Sequence, residues 1–142
     1  MKHVTRLIAL FLFLTLAIAT VFAIVIKDRP TAQYLNGNVI VRWTTADESG
    51  VKMFKILRAP VSRGTVEGFL EVGTIERAQL KGNNSTYEFI DTDVFKVADR
   101  VFAYRIRVVF QNNTFSDSDI ATTAVLSSAA KRTWGSIKAM FR

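Results

Sequence analysis

The chain has 142 residues, 49% of them hydrophobic, with no cysteine, one histidine and a formal charge of +7. This apolar content excludes a disordered chain and provides for one domain with its own core, and the missing cysteine excludes disulfide support. Lys2, Arg6, Lys131, Arg132, Lys138 and Arg142 lie in the two ends, which hold no acid, so the stretch between is nearly balanced. The overall basicity therefore does not point to a nucleic-acid-binding face.

The first element is residues 1–23, "MKHVTRLIALFLFLTLAIATVFA". Lys2 and Arg6 precede an uncharged apolar run from Leu7, and small residues follow at Ala17, Ala19 and Ala23. That order reads as an export signal peptide, with cleavage after Ala19 or Ala23. A retained anchor is the alternative, because residues 7–26 carry no charge and can form a helix that spans a bilayer. The expected location is secreted or cell envelope, with inner-membrane anchoring by the uncleaved helix as the second reading.

His3 lies inside that segment. Without it the chain has neither histidine nor cysteine, so a Ser-His-Asp triad, a cysteine nucleophile and a histidine-bearing zinc site are all absent. Asp91-Thr92-Asp93 and Asp117-Ser118-Asp119 have the spacing of calcium ligands, yet neither continues into the glycine and distal glutamate of a calcium loop. No glycine-rich phosphate loop occurs. The expectation is a chain that is not an enzyme and has no catalytic residues, metal or cofactor.

From residue 24 to 128 the apolar period is two. In "NVIVRWTT" Val39, Val41 and Trp43 share one face, against Ile40, Arg42 and Thr44. "KMFKILR" sets Phe54 and Ile56 against Lys55. "FLEVGTIE" is a strand with a possible bulge at Gly73 and with Phe69 turned inward. "STYEFID" sets Tyr87 and Phe89 against Glu88 and Ile90. "RVFAYRIRVVF" sets Phe102, Tyr104, Ile106 and Val108 against Arg105 and Arg107. "SDSDIATTAVL" places Ile120, Thr122, Ala124 and Leu126 on one face. Turn signals separate these runs: Asn36-Gly37-Asn38, "ADESG", "SRGTVEG", "KGNNS" and "QNNT". Short alternating runs of this kind predict an all-β, seven-stranded antiparallel β-sandwich, with Trp43, Phe54, Ile56, Tyr87, Phe89, Tyr104 and Ile106 as its structural core.

Three groups of residues carry a family resemblance. They are Trp43 with Thr45-Ala46-Asp47-Glu48 and Phe54-Lys55-Ile56-Leu57-Arg58, then Tyr87, Phe89 and Asp91 in "YEFIDTDV", then Tyr104, Arg105 and Ile106 in "YRIRVV". This spacing resembles the divergent bacterial fibronectin type III domain, an immunoglobulin-like fold, over residues 31–126. The opening aromatic of that pattern is missing, with Pro30 and Thr31 near its place. The resemblance implies a seven-stranded sandwich with Tyr104 as a tyrosine corner, and it implies no reaction.

The last element is residues 129–142. On a helical wheel Trp134, Ile137, Met140 and Phe141 fall in one arc and Lys131, Lys138 and Arg142 in the next, with Arg132 nearby. This predicts a short basic amphipathic helix, too short to be stable alone in water. It is the expected contact for a protein partner or a membrane surface, with docking on the chain's own sandwich as the alternative. The leading functional expectation is an exported module for adhesion, scaffolding or assembly through protein contacts in the envelope. A carbohydrate-binding accessory module is the alternative, and it would require Tyr34, Phe95 and Phe115 to share one surface. Nucleic acid and small-molecule ligands are not expected.

Overall fold

The computed structural model describes residues 25–94 and 100–126. The export segment, Phe95 and the whole tail with Lys131, Arg132, Trp134, Ile137, Lys138, Met140, Phe141 and Arg142 lie outside the described residues.

The described chain is all-β and every strand pairing is antiparallel. The strands are β1 (Thr31–Leu35), β2 (Asn38–Thr44), β3 (Val51–Ser62), β4 (Thr65–Val66), β5 (Leu70–Ile75), β6 (Thr86–Asp91), β7 (Arg100–Phe110), β8 (Phe115–Asp117) and β9 (Ala121–Val125). A 3-10 turn, Arg77–Gln79, follows β5. One sheet has the order β1-β2-β6. In the other, β3 and β7 form the centre, β4 and β5 pair with β3, and β8 and β9 pair with β7.

Two turns show why the chain reverses where it does. Asn36 and Gly37 have φ of 51° and 89°, and Arg63 and Gly64 have 50° and 79°. Positive φ at both central residues is what a two-residue hairpin loop requires, and it matches the twist of the flanking strands. The pairs Leu35–Asn38 and Ser62–Thr65 close these loops.

The period-two reading places the core correctly along most of its length. Val39, Val41, Trp43, Phe54, Ile56, Tyr87, Tyr104 and Ile106 are buried, and Phe89 is half-buried against them. Trp43 of β2 stacks on Tyr87 of β6 with ring centroids 5.3 Å apart, and Phe54 of β3 meets both edge-on at 5.9 Å and 5.2 Å. Those three rings join the two sheets. Edge-to-face pairs of this kind add to the area they bury.

Two expectations are corrected. Nine strands are present among the described residues where seven were expected, because β4 stands as a separate strand and the last run is split into β8 and β9. The face of β9 is the opposite one: Ala121 and Val125 are buried, while Thr122, Ala124 and Leu126 are exposed. Its register on β7, with Tyr104 opposite Ala121 and Arg100 opposite Val125, decides this. The β3–β5 register steps from Ile56 opposite Gly73 to Leu57 opposite Glu71, which leaves Val72 as the extra residue of a bulge beside Gly73. Gly73 also serves a close approach: a Cβ there would fall against the Phe89 ring.

Two buried carboxylates tie loops to this frame. Glu48 accepts hydrogen bonds from Thr45 Oγ1 at 2.7 Å, Gly82 N at 2.9 Å and Tyr87 Oη at 3.0 Å. Asp91 accepts from Arg58 Nη1 at 2.7 Å, Tyr104 Oη at 2.9 Å and Asp93 N at 3.1 Å. The Tyr104 hydroxyl thus meets a carboxylate, where a tyrosine corner would direct it to a backbone group.

Candidate functional site

Strand alternation builds the most chemically distinctive surface. Tyr104, Ile106 and Val108 of β7 point into the core, so Arg105 and Arg107 must stand on the outer face of the six-stranded sheet. β8 lies beside them with Arg107 opposite Asp117 and Val109 opposite Phe115. On the other flank Leu57 of β3 is opposite both Arg105 and Glu71 of β5.

Asp117 holds both arginines. Its two carboxylate oxygens accept from Arg107 Nε at 2.7 Å and Arg107 Nη2 at 2.8 Å, a bidentate pair. Arg105 Nη1 lies 3.1 Å from the same carboxylate. The hydrogen bonds from Arg107, together with both positive charges, hold the Asp117 carboxyl below its ordinary pKa despite partial burial. Each guanidinium also covers an aromatic ring, Arg105 over Phe69 at 4.0 Å and Arg107 over Phe115 at 4.1 Å. Beside them Lys55 pairs with Glu71 at 2.8 Å, and that contact lowers the Glu71 pKa.

The result is a ladder across one sheet face: Phe69, Arg105, Asp117, Arg107, Phe115. Phe115 is 59% exposed. Arginine and large aromatic side chains on one exposed patch are the chemistry of recognition, since they offer apolar area together with fixed donors.

The period-two pattern already set Arg105 and Arg107 on the solvent side, so half of this site could be read in "YRIRVV". The rest depends on register. Only the pairing of β7 with β8 brings Asp117 and Phe115 alongside, and Phe69, expected inside, lies against Arg105 on the outer face. Tyr34 of β1 packs against the core and Phe115 stands on the six-stranded sheet, so these two form no common platform. The paired aspartates of the calcium-like spacing have other partners: Arg58 and Tyr104 hold Asp91, and the two arginines hold Asp117.

A concavity of about 320 Å³ is lined by residues 25–30, Val108, Phe110 and residues 116–119. Val25 is buried. The Arg29 guanidinium donates to the Ile120 carbonyl, at 3.1 Å from Nε and 2.8 Å from Nη2. These contacts fasten the start of the described chain to the frame.

No family model matches the chain, and no curated protein does. Similar solved structures include the pectate lyase Pel3 from Pectobacterium carotovorum in two crystal forms and the pectate lyase PelI from Erwinia chrysanthemi in complex with tetragalacturonic acid. Pel3 with two monomers is 16% identical, with a TM-score of 0.49, over 68% of this chain and 26% of that one. Pel3 with one monomer is 20% identical, with a TM-score of 0.47, over 72% and 28%. PelI is 18% identical, with a TM-score of 0.47, over 68% and 28%. This chain therefore spans little more than a quarter of their length.

The comparison corrects two expectations. The structures found are pectate lyases, which are enzymes, where the expectation was a fibronectin type III or immunoglobulin-like domain and a chain that is not an enzyme. At this identity and these TM-scores the likeness transfers neither activity nor substrate to the chain.

Proposed function

We propose that this chain is an exported β-module that works through protein contacts, for adhesion, scaffolding or assembly, and that the outer face of its six-stranded sheet is the contact surface. The observation that carries this reading is the exposed Phe115 ring held under Arg107 beside the Arg105–Asp117 pair. A rigid aromatic with fixed guanidinium donors matches the anchor residues of protein interfaces. The two sheets, joined through Trp43, Tyr87 and Phe54, are read here as the layers of a sandwich that keeps this face rigid.

Export rests on the basic start and apolar run of residues 1–23. Among the described residues no helix is long and apolar enough to cross a membrane. The basic tail, residues 129–142, is proposed as a further contact with a protein or membrane surface, on its sequence pattern alone.

The carbohydrate-binding alternative is less well supported. Phe69 and Phe115 each have a guanidinium over one ring face, which leaves a sugar only the other face of each, and Tyr34 packs against the core instead of extending this surface.

Site-specific photo-cross-linking in intact envelopes tests the proposal. A photoreactive phenylalanine at position 115 should give a discrete protein adduct. The same group at Ile90, which is exposed on the other sheet, should give none. Equal adducts from both positions, or none from 115, would reject this face as the contact.

A further inference from the structure

The chemistry of the ladder specifies its partner more closely, and this inference rests on the contact reading above. We infer that the outer face of the six-stranded sheet binds an extended acidic peptide segment with carboxylates at alternate positions.

Three observations support this. The first is charge. Lys55, Arg105 and Arg107 share the face with Glu71 and Asp117. Glu71 is matched by Lys55, while the single carboxylate of Asp117 serves two guanidiniums. The ladder therefore carries uncompensated positive charge.

The second is donor count. A guanidinium has five N–H donors. Asp117 takes Nε and one Nη2 donor of Arg107, while Arg105 Nη1 is held to it as an ion pair and Arg105 Nε is buried without a partner among the described residues. Both side chains remain about a quarter exposed, at 28% and 25%. Each therefore keeps donors on its terminal nitrogens for a second acceptor.

The third is spacing. Arg105 and Arg107 are two residues apart on β7, about 6.8 Å along an antiparallel strand. Alternate side chains of an extended peptide recur at the same interval. A peptide lying along β7 can place successive carboxylates over the two guanidiniums. Phe115 then supplies apolar contact beside Arg107, and partly desolvated ion pairs there would set the register of the peptide.

The test is fluorescence anisotropy on the full chain in mild detergent, with two labelled decapeptides of one composition. In one, glutamate and threonine alternate; in the other, the glutamates form a block. The alternating peptide should bind at least tenfold more tightly. Arg105→Gln and Phe115→Ala should each weaken it fivefold or more while the melting temperature stays close to that of the parent. Lys52→Gln removes an ammonium that instead contacts Asn113 Oδ1, and it should leave binding unchanged. Equal affinity for both peptides, no binding, or binding only of an acidic polysaccharide such as a polyuronate would overturn the inference. If the adduct at position 115 persists while the peptides fail, the contact surface stands and its acidic specificity falls.

Discussion

The Tyr104 hydroxyl donates to Asp91 Oδ2 at 2.9 Å, joining the central strand of the six-stranded sheet to β6 of the other. Arg58 reaches the same oxygen at 2.7 Å, and Asp91 is only 4% exposed. Removing one partner of a buried pair leaves the other uncompensated. Asp91→Asn should therefore cost about 3 kcal/mol, at the lower end of the range because Arg58 keeps some contact with water. In a domain of this size that is roughly 12 °C or more in thermal melting. A shift under about 3 °C would mean that the pair does not bind the sheets together.

Alkaline pH acts on the same layer. Burial, opposed by the Lys81 amide and reinforced by Glu48, pushes the Tyr87 hydroxyl up to about 12, and burial beside Asp91 raises Tyr104 further. A raised folded pKa means that stability is complete below the unfolded value near ~10 and is lost as pH rises through the folded value. Melting temperature should be flat up to about pH 10 and then fall. Tyr87→Phe should fall less steeply. Parallel curves for the two proteins would contradict this assignment.

Trp43 tests the core twice. It is 2% exposed, and its indole Nε1 has no hydrogen-bond partner among the described residues. Trp43→Ala should cost about 3–5 kcal/mol through lost contacts and a residual cavity. Trp43→Phe removes the unsatisfied donor, whose burial costs about 1–3 kcal/mol, and so should lose much less than alanine. Equal losses in denaturant melts would show that the indole nitrogen finds a partner in solution.

Gly73 and Phe89 form a lock between sheets. A methyl group at 73 would meet the Phe89 ring, so Gly73→Ala overpacks the site by about 1–3 kcal/mol. Phe89→Leu makes room, and the double variant should lose less than the sum of the single variants, since residues in contact are not additive. Simple additivity would mean that the backbone at 73 yields instead.

Alternation made most of this legible in advance. A strand with one buried face has to put Val39, Val41 and Trp43 together, and the same argument exposed Arg105 and Arg107. It failed where the face depends on a neighbour. β9 takes its face from its register with β7, and the run "SDSDIATTAVL" alternates equally well in either phase. Phe69 failed for another reason: it stands before β5, outside the ladder, so strand alternation did not fix its direction. Asp117 was visible only as part of a calcium-like aspartate spacing, because its role as a shared acceptor arises when β8 folds beside β7.

That shared acceptor gives the acid limb of stability a specific signature. The Arg107 hydrogen bonds and two positive charges depress the Asp117 pKa, so the carboxylate is favoured by folding. A depressed folded pKa contributes stability above the unfolded value near ~3.9, and that contribution is lost as pH falls through the folded value. At pH 7 Asp117→Asn should melt a few degrees below the parent. The groups are 21–28% exposed, so the network is partly screened and contributes on the order of 1 kcal/mol. The other carboxylates titrate in both proteins, so the difference between the two curves isolates Asp117. It should shrink steadily as pH falls below about 4 and the parent loses its charge. Salt at about 0.5 M, which shortens the screening length, should narrow the gap at pH 7. A gap that stays constant from pH 7 to about pH 2 would mean that the substituted amide disturbs packing rather than charge, and that Asp117 does not hold Arg105 and Arg107 in place.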